Sequence, residues 1–288
     1  MKMLLGVHVS AEGKIFEAVK RAHSLGCNTM QVFSRSPQRW RRKALSPEDI
    51  REFLRSREKF KIDLVFIHIP YLINLASPDP QLYKASVLSF IEDIREADSL
   101  KADYIVTHMG SHKDTSEGQG LKRLIAALNR ILAETRGVKT GILLENTAGS
   151  GSWLGYKFNH QELVFQEVME RQRLGLCLDT AHAYLAGYDI AQKEGLREML
   201  EEIDSHVGLN FIKLIHLNDA WGKLGSRYDR HAHIGKGSIG LGGLKRIINH
   251  PQLRNTPFIL ETPKDTPLSD RRNLKIVRIL KGRNSREG

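Results

Sequence analysis

The sequence predicts an α/β fold, a (β/α)8 (TIM) barrel, on three observations. Eight short apolar runs occur along the chain, longer segments of helical period separate most of them, and their ends recur at a mean spacing of about 36 residues. That spacing fits one strand–helix unit, and eight such units match a barrel of about 250 residues. No linker or low-complexity stretch divides the 288 residues, so we expect one barrel domain over residues 1–288.

The predicted strands are rich in Val, Ile and Leu and are mostly apolar, as expected for strands covered on both faces of a parallel sheet. They are Leu4–Val9, Thr29–Phe33, Leu64–Ile69, Tyr104–His108, Gly141–Glu145, Leu174–Asp179, Phe211–Leu217 and Pro257–Glu261. Amphipathic helices are predicted between them over Pro47–Phe60, Gln81–Leu100, Leu121–Glu134 and His160–Arg171. Ser46 before Pro47 resembles a helix N-cap followed by proline at the first helical position. A doubly wound open sheet is the alternative, but Gly6 and Gly13 lack its usual GxGxxG spacing.

The composition excludes several classes of protein. With 41% hydrophobic and 27% charged residues, the chain is not disordered, collagen-like or a coiled coil. No apolar run is long enough to span a bilayer, no signal peptide is recognisable, and Cys27 and Cys177 form no disulfide framework. We therefore expect a reduced, cytoplasmic protein. The 44 Lys and Arg against 33 Asp and Glu give a net charge of +11, which favours a polyanionic partner without identifying it.

Residues that commonly bind metal ions occupy the ends of six predicted strands. Because the carboxyl ends of all barrel strands open on one face, these six side chains should converge there. Three further residues in the loops of that face can join them, and Asp229 and His231 point to the same side if the loop is extended. The nine candidates are His68, His108, Glu145, Asp179, His182, His216, Asp229, His231 and Glu261.

Each candidate also has an ordinary structural interpretation. A single histidine at a strand end is more often a hydrogen-bonded core residue, Asp179 could be a helix N-cap, and Glu261 could be a loop acid. Carboxylates crowded together, however, would repel by about 4 kcal/mol per pair at 4 Å in an effective dielectric of 20. Divalent cations remove this repulsion, and imidazole with carboxylate suits Zn, Mn or Fe. Nine ligands suffice for two or three ions, leaving a pocket that attracts a phosphodiester.

Basic and aromatic residues follow the second and third predicted strands on the same face. Arg35 and Arg39 suit phosphate contacts, and Tyr71 with Leu72 could wedge into a stack of bases. The alternatives are a solvated basic loop and a small core under Trp40. The basic residues near the end of the chain, from Arg271 to Arg286, are interpreted as solvated surface.

Several motifs together resemble the endonuclease IV family, the metal-dependent apurinic/apyrimidinic endonucleases (family 2) of DNA repair. The resemblance runs from residues 6–10 to residues 261–263. Its specific stretches are Tyr71–Leu75, Glu145–Gly149, Cys177–His182, Gly187–Asp189, His216–Asp219 and, most diagnostic, Gly225–Gly240.

The resemblance implies a TIM barrel with three zinc ions, although Mn2+ or Fe2+ could occupy some sites. It assigns His68, His108 and Glu145 to the first ion. Glu145 would bridge to a second ion held by Asp179, His216 and Glu261. His182, Asp229 and His231 would hold the third.

The implied reaction is hydrolysis of the phosphodiester 5′ to an abasic site in double-stranded DNA, leaving a 3′-hydroxyl and a 5′-deoxyribose phosphate. Removal of 3′ blocking groups is also implied, with Glu145 and Glu261 as catalytic carboxylates. Tyr71 and Leu72 match residues that enter the minor groove, and a monomer is expected.

The chain departs from the family pattern at a few positions. Gln38, which we expect to contact DNA together with the adjacent Arg39, stands where a groove-inserting Arg is frequent. Ala181 replaces a frequent Cys, Met109 a frequent Pro, and Ala220-Trp221 a Ser/Ala-Lys pair. None of these changes removes a predicted metal ligand.

Two other functions fit part of the pattern. A sugar isomerase or epimerase of similar architecture needs one metal ion, which Glu145, Asp179, His216 and Glu261 could hold, but it does not need the other five residues. A non-catalytic DNA-binding module would use only the basic loops.

Overall fold

The computed structural model describes residues 3–35, 40 and 44–282. Eight parallel strands and an antiparallel two-stranded ribbon are present within these residues. The barrel strands are β1 (Leu5–Val7), β2 (Thr29–Phe33), β3 (Leu64–His68), β4 (Tyr104–His108), β5 (Gly141–Glu145), β6 (Leu174–Asp179), β7 (Ile212–His216) and β10 (Phe258–Leu260). The ribbon joins β8 (Asp219–Ala220) to β9 (His231–Ala232).

The strands close into a cylinder. Their hydrogen-bonded order is β1-β10-β7-β6-β5-β4-β3-β2, with every neighbouring pair parallel. The two ends of this order meet at a seam where His8 bridges to Gln31 and the Val9 amide donates to the Gln31 carbonyl at 2.8 Å. Gly6 allows this approach, because a Cβ there would collide with the Thr29 carbonyl oxygen. The (β/α)8 prediction is confirmed, and the open-sheet alternative is wrong.

Nine helices lie among the described residues. They are α1 (Ile15–Ser24), α2 (Pro47–Lys59), α3 (Pro80–Ser99), α4 (Glu117–Glu134), α5 (Phe158–Glu167), α6 (Thr180–Ala186), α7 (Lys193–His206), α8 (Gly240–Asn249) and α9 (Ser269–Lys281). Ser46 caps α2 as predicted, accepting a hydrogen bond from the Asp49 amide at 3.1 Å.

The predicted boundaries of two helices are wrong. Helix α4 begins four residues before the predicted start, because Ser116 and Gln119 form a capping box in a polar stretch that the apolar period does not mark. Helix α5 ends at Glu167 rather than at the predicted Arg171, since Val168 is already extended.

The interior of the barrel is filled by six buried side chains that point inward from β3, β4, β5, β6, β7 and β10. They are Phe66, Val106, Leu143, Cys177, Leu214 and Ile259, and we call them the apolar layer. A larger core lies between the strands and the helices. None of the helices in the described ranges is long and apolar enough to cross a membrane.

Candidate metal centre

Five of the predicted ligands are the last residues of consecutive strands. His68, His108, Glu145, Asp179 and His216 end β3 to β7, and Glu261 directly follows β10. The register places His108 opposite Glu145 and Asp179 opposite His216. The side chains therefore meet at one end of the barrel, directly above the apolar layer.

Glu145 connects two groups of potential ligands. Its Oε2 lies 3.0 Å from His68 Nε2 and 3.2 Å from His108 Nε2. Its Oε1 lies 2.9 Å from His216 Nδ1. The ligand atoms of His68, His108 and Glu145 all lie within 4.8 Å of one another. This fully buried carboxylate thus offers one oxygen to each side, as a bridging ligand would.

The second group comprises Glu145, Asp179, His216 and Glu261, also within 4.8 Å of one another. His216 Nδ1 lies 3.2 Å from Glu261 Oε2 and 4.0 Å from Asp179 Oδ2. Asp179 also caps α6, because its Oδ1 accepts from the His182 amide at 2.7 Å. Its Oδ2 faces the group and accepts from Asn218 Nδ2 at 2.7 Å. The N-cap and a ligand role for Asp179 are therefore compatible.

The third group forms around His182 in α6. His182 Nε2 lies 3.1 Å from Asp229 Oδ1 and 3.4 Å from His231 Nε2. His231 Nε2 is also 3.6 Å from Asp179 Oδ2. Asp229 belongs to an exposed loop between the ribbon strands, and its side chain remains 46% exposed. This group is thus the most accessible to solvent of the three.

One buried carboxylate shapes the loop that follows the ribbon. Asp219 Oδ2 accepts from the amides of Gly235 and Gly237, and its Oδ1 accepts from those of Ile239 and Gly240. These bonds fix the chain that leads from β9 to α8 and hold His231 against the cluster.

The histidine rings are oriented as metal ligands would be. In four of them one ring nitrogen faces the carboxylate cluster and the other faces an oxygen outside it, to which its N–H can donate. In the neutral ring, that arrangement would leave a lone pair on the inner nitrogen, which is the tautomer that binds a metal ion. The outer contacts are His68 Nδ1 to Ile69 O (2.6 Å), His182 Nδ1 to Asn146 O (2.9 Å), His231 Nδ1 to Glu261 O (3.1 Å) and His216 Nε2 to Gln31 Oε1 (2.8 Å).

The charges at this site are unbalanced without cations. In the part of the chain that the structure describes, every ion-pair partner of Glu145, Asp179, Asp229 and Glu261 is a histidine. Burial acts to raise the pKa of Glu145, but His216 and His108 outweigh it and hold that pKa well below its usual value. Burial likewise opposes ionisation of Asp229, yet His182 and His231 lower its pKa to about 2. Glu145 and Asp229 therefore stay ionised, and a donor set of carboxylates with imidazoles fits divalent cations.

Cys177 comes close to this site without matching its chemistry. Its Sγ lies within 4.8 Å of ligand atoms of Glu145 and His216. Burial raises the pKa of the thiol to about 12 in the metal-free protein, and its side chain packs with the other members of the apolar layer. We therefore assign Cys177 to the apolar layer.

Two polar residues beneath the second group were missed by the sequence analysis as site residues. Gln31 Nε2 donates to Glu261 Oε1 at 2.6 Å, and His8 Nδ1 lies 3.1 Å from the same oxygen. The sequence signals are a glutamine inside the run Thr29–Phe33 and a histidine inside the run Leu4–Val9, because polar side chains are unexpected in buried strands.

The predicted DNA-contacting residues have different positions. Tyr71 is 62% exposed, and its ring centroid lies 6.3 Å from those of His68 and His108, so it stands at the rim of the metal centre. Leu72 beside it is half-buried. Arg35 is buried instead, pairing with Asp93 at 2.5 Å and donating to Ser89 O at 3.0 Å. This placement gives Arg35 a structural role and does not support the predicted DNA contact.

The remaining two predicted DNA contacts, Gln38 and Arg39, lie outside the described residues. Trp40, which the sequence analysis placed over a possible small core, is described and is 37% exposed. Its carbonyl accepts from Arg35 Nη1 at 2.5 Å.

A closed parallel barrel with three joined histidine–carboxylate groups at its carboxyl end defines a class, the (β/α)8-barrel proteins with a candidate multinuclear metal centre. Comparison with known proteins agrees with the barrel fold. Residues 19–280 match the family described as Xylose isomerase-like TIM barrel.

The chain belongs to that family and to the endonuclease 4 family. It is 41% identical over 276 residues to "Probable endonuclease 4" of Chloroflexus aurantiacus, covering 96% of this chain and 97% of the relative. The corresponding protein of Methanoculleus marisnigri is 40% identical over 280 residues, covering 97% and 99%. The crystal structure of endonuclease IV from Thermus thermophilus superposes with a TM-score of 0.85 at 37% identity, covering 96% and 98%.

Proposed function

We propose that this protein is a DNA-repair endonuclease that hydrolyses the phosphodiester 5′ to an apurinic/apyrimidinic site. The products would be a 3′-hydroxyl and a 5′-deoxyribose phosphate. The observation that carries the proposal is the position of Glu145, whose two oxygens face separate ligand groups at the mouth of the barrel. Its relatives named endonuclease 4, aligned over nearly the whole chain, support the same reaction.

We infer three zinc ions per chain, with Mn2+ or Fe2+ as substitutes at some sites. His68, His108 and Glu145 would hold one ion, Glu145, Asp179, His216 and Glu261 a second, and His182, Asp229 and His231 a third. When bound, such ions polarise a phosphodiester, acidify water and stabilise the departing oxygen. The three groups together exceed what the single-metal isomerase chemistry would need.

The protein's own contribution is to position charges and exclude water from part of the site. Glu145 is fully buried and lies at the centre, so we assign it the role of joining the two deeper groups. Glu261 has a partly accessible side chain, 17% exposed, and lies nearer to solvent. We therefore assign Glu261 to the substrate side of the second group, where it would help to orient the attacking water.

The surface around the centre suits a nucleic acid. Tyr71 projects from the rim, and we propose that it and Leu72 enter the duplex beside the lesion. The net charge of +11 favours attraction of a polyanion. We further propose removal of 3′ blocking groups, a monomeric state and a cytoplasmic location.

A duplex oligonucleotide with one synthetic abasic site provides the first test. We expect one cut 5′ to the lesion, none in the intact duplex, and loss of cutting after chelation that zinc restores. Changing Tyr71 and Leu72 together to glycine should weaken discrimination between the two duplexes. No cut by fully metal-loaded protein would refute the proposal.

Metal analysis separates the alternative functions. About three ions per chain agree with the endonuclease, whereas one ion would favour a sugar isomerase or epimerase. A non-catalytic DNA-binding module would bind the oligonucleotide without cutting it at any metal content.

A further inference from the structure

Gln31 lies fully buried in β2, at the seam where the barrel closes. Its side-chain amide reaches two predicted ligands of the second group. Gln31 Oε1 lies 2.8 Å from His216 Nε2, and Gln31 Nε2 lies 2.6 Å from Glu261 Oε1. We propose that Gln31 is a positioning residue that orients His216 and Glu261 for one divalent cation, an inference that rests on the proposed metal centre.

The orientation of the amide follows from hydrogen-bond chemistry. An ionised carboxylate only accepts, so the NH2 group of Gln31 must face Glu261 and its oxygen must face His216. The proton of His216 is then on Nε2. In the neutral ring that would bind an ion, Nδ1 therefore carries the lone pair, on the side of Glu145 Oε1 and Glu261 Oε2, which lie 2.9 and 3.2 Å away.

His216 differs in this respect from the other three histidines with two-sided contacts. The outer nitrogens of His68, His182 and His231 face backbone carbonyls, which the fold itself fixes. The outer nitrogen of His216 faces a side chain. Its tautomer therefore depends on one replaceable residue, and a substitution there can change the ligand without moving the main chain.

The same amide also controls Glu261. By holding Oε1, Gln31 leaves Oε2 turned towards His216 Nδ1. His8 packs against this arrangement, with Nδ1 2.9 Å from Gln31 Nε2 and its ring centroid 4.2 Å from that of Phe33. Gln31 is thus enclosed and lacks exposed surface for a direct contact with DNA.

The variant Gln31→Leu removes both hydrogen bonds at similar volume. We expect one metal equivalent to bind roughly 10- to 100-fold more weakly, as for other partners of ligand residues, and the remaining equivalents to bind as in the wild type. Competition between the loaded protein and a coloured chelator measures each equivalent. On abasic DNA, kcat should fall while KM is unchanged, because Gln31 is buried.

A matched control and a conservative variant isolate the effect. The control is Gln161→Leu, which removes another buried glutamine. Gln161 Nε2 donates to Gly155 O at 3.1 Å, outside the ligand groups, so this variant should bind all metal equivalents as tightly as the wild type. Gln31→Glu keeps an acceptor for His216 but removes the donor to Glu261, so it should retain the His216 tautomer while weakening the same equivalent. A folded Gln31→Leu protein that holds all its metal as tightly as the wild type would overturn the inference.

The tautomer of His216 can also be measured in the wild-type protein, which tests the role of Gln31 without a substitution there. In zinc-loaded protein, long-range 1H–15N correlation should show the His216 proton on Nε2, with the signal assigned by its loss in His216→Ala. A proton on Nδ1 would contradict the proposed role. Wild-type protein that binds metal but does not cleave abasic DNA would refute the endonuclease proposal alone. A Gln31→Leu variant with normal cleavage and unchanged metal affinity would refute the role of Gln31 alone.

Discussion

The barrel interior contains two layers built by the same six strands, and they differ completely in chemistry. The apolar layer consists of Phe66, Val106, Leu143, Cys177, Leu214 and Ile259. The second layer, which we call the polar layer, lies two residues after the apolar layer on each strand. It consists of His68, His108, Glu145, Asp179, His216 and Glu261. Because side chains alternate along a strand, residues two apart point the same way, so one layer sits directly on the other.

This comparison shows that residues for stability and residues for chemistry lie only two positions apart on the same strand. The apolar layer is stabilised by burial and needs no partner. The polar layer is equally buried at Glu145, Asp179 and His216, yet its three carboxylates have only histidines as ion-pair partners among the described residues. A substitution in the polar layer should therefore lower activity, whereas one in the apolar layer two residues earlier should lower the free energy of unfolding.

Glu145→Gln should have the largest effect on activity. It keeps the shape of the side chain but removes the charge shared by two ligand groups. Because Glu145 is itself a proposed ligand, cleavage of abasic DNA should fall by more than the roughly 100-fold typical of losing an outer partner. Single-turnover cleavage and metal analysis check this, with circular dichroism to verify folding. Full activity with reduced metal content would remove Glu145 from the reaction.

Leu143→Ala, two residues earlier on β5, should produce the converse result. Truncating this fully buried leucine should lower the free energy of unfolding by about 2–5 kcal/mol, while cleavage per folded molecule stays close to that of the wild type. Urea unfolding of metal-loaded protein, with activity normalised to the folded fraction, measures both quantities. A loss of activity without a loss of stability would show that the two layers are not separable.

The pH dependence should give the smallest but most diagnostic contrast. Although burial acts to lower them, neighbouring carboxylates raise the pKa values of His182 and His216 well above 6.5 in the metal-free protein. Their stabilising contribution is thus complete below pH 6.5 and is lost as the pH rises through the folded-state pKa values. Metal ions need the neutral rings, so metal binding strengthens over the same range.

Melting temperatures at several pH values from about 6 to 8 test this relation, measured with a chelator and with saturating zinc. The chelated protein should become less stable as the pH rises, and the loaded protein more stable. Parallel slopes would mean that protons and metal ions do not compete for these histidines.

Much of the site could be predicted because polar residues at the ends of apolar runs are conspicuous. His68, His108, Glu145, Asp179 and His216 all end strands as predicted, and their role as ligands stays a prediction. The fold follows from the same runs, because their number and spacing leave few topologies.

The features that sequence reasoning missed depend on contacts between distant segments. Gln31 looks like one polar interruption of a strand until β7 and β10 bring His216 and Glu261 to it. Arg35 looks like a basic loop residue, because nothing in its neighbourhood in the sequence reveals Asp93 on α3. The start of α4 depends on a capping box, which hydrophobic periodicity does not detect.

The seam between β1 and β2 has a consequence for local opening of the barrel. The register at this seam contains one bridge, with the amides of Asn28 and Val9 donating to the carbonyls of Leu5 and Gln31, whereas the other neighbouring pairs share two to five register positions. Amide protons exchange with solvent first where few hydrogen bonds must break. An ion held by Glu261 and His216 would stabilise the hydrogen bonds of Gln31 to these two residues. Those bonds connect β2 to the ends of β7 and β10 and would hold β2 in place at the seam. Amide exchange at the seam would then report whether the second group holds a metal ion.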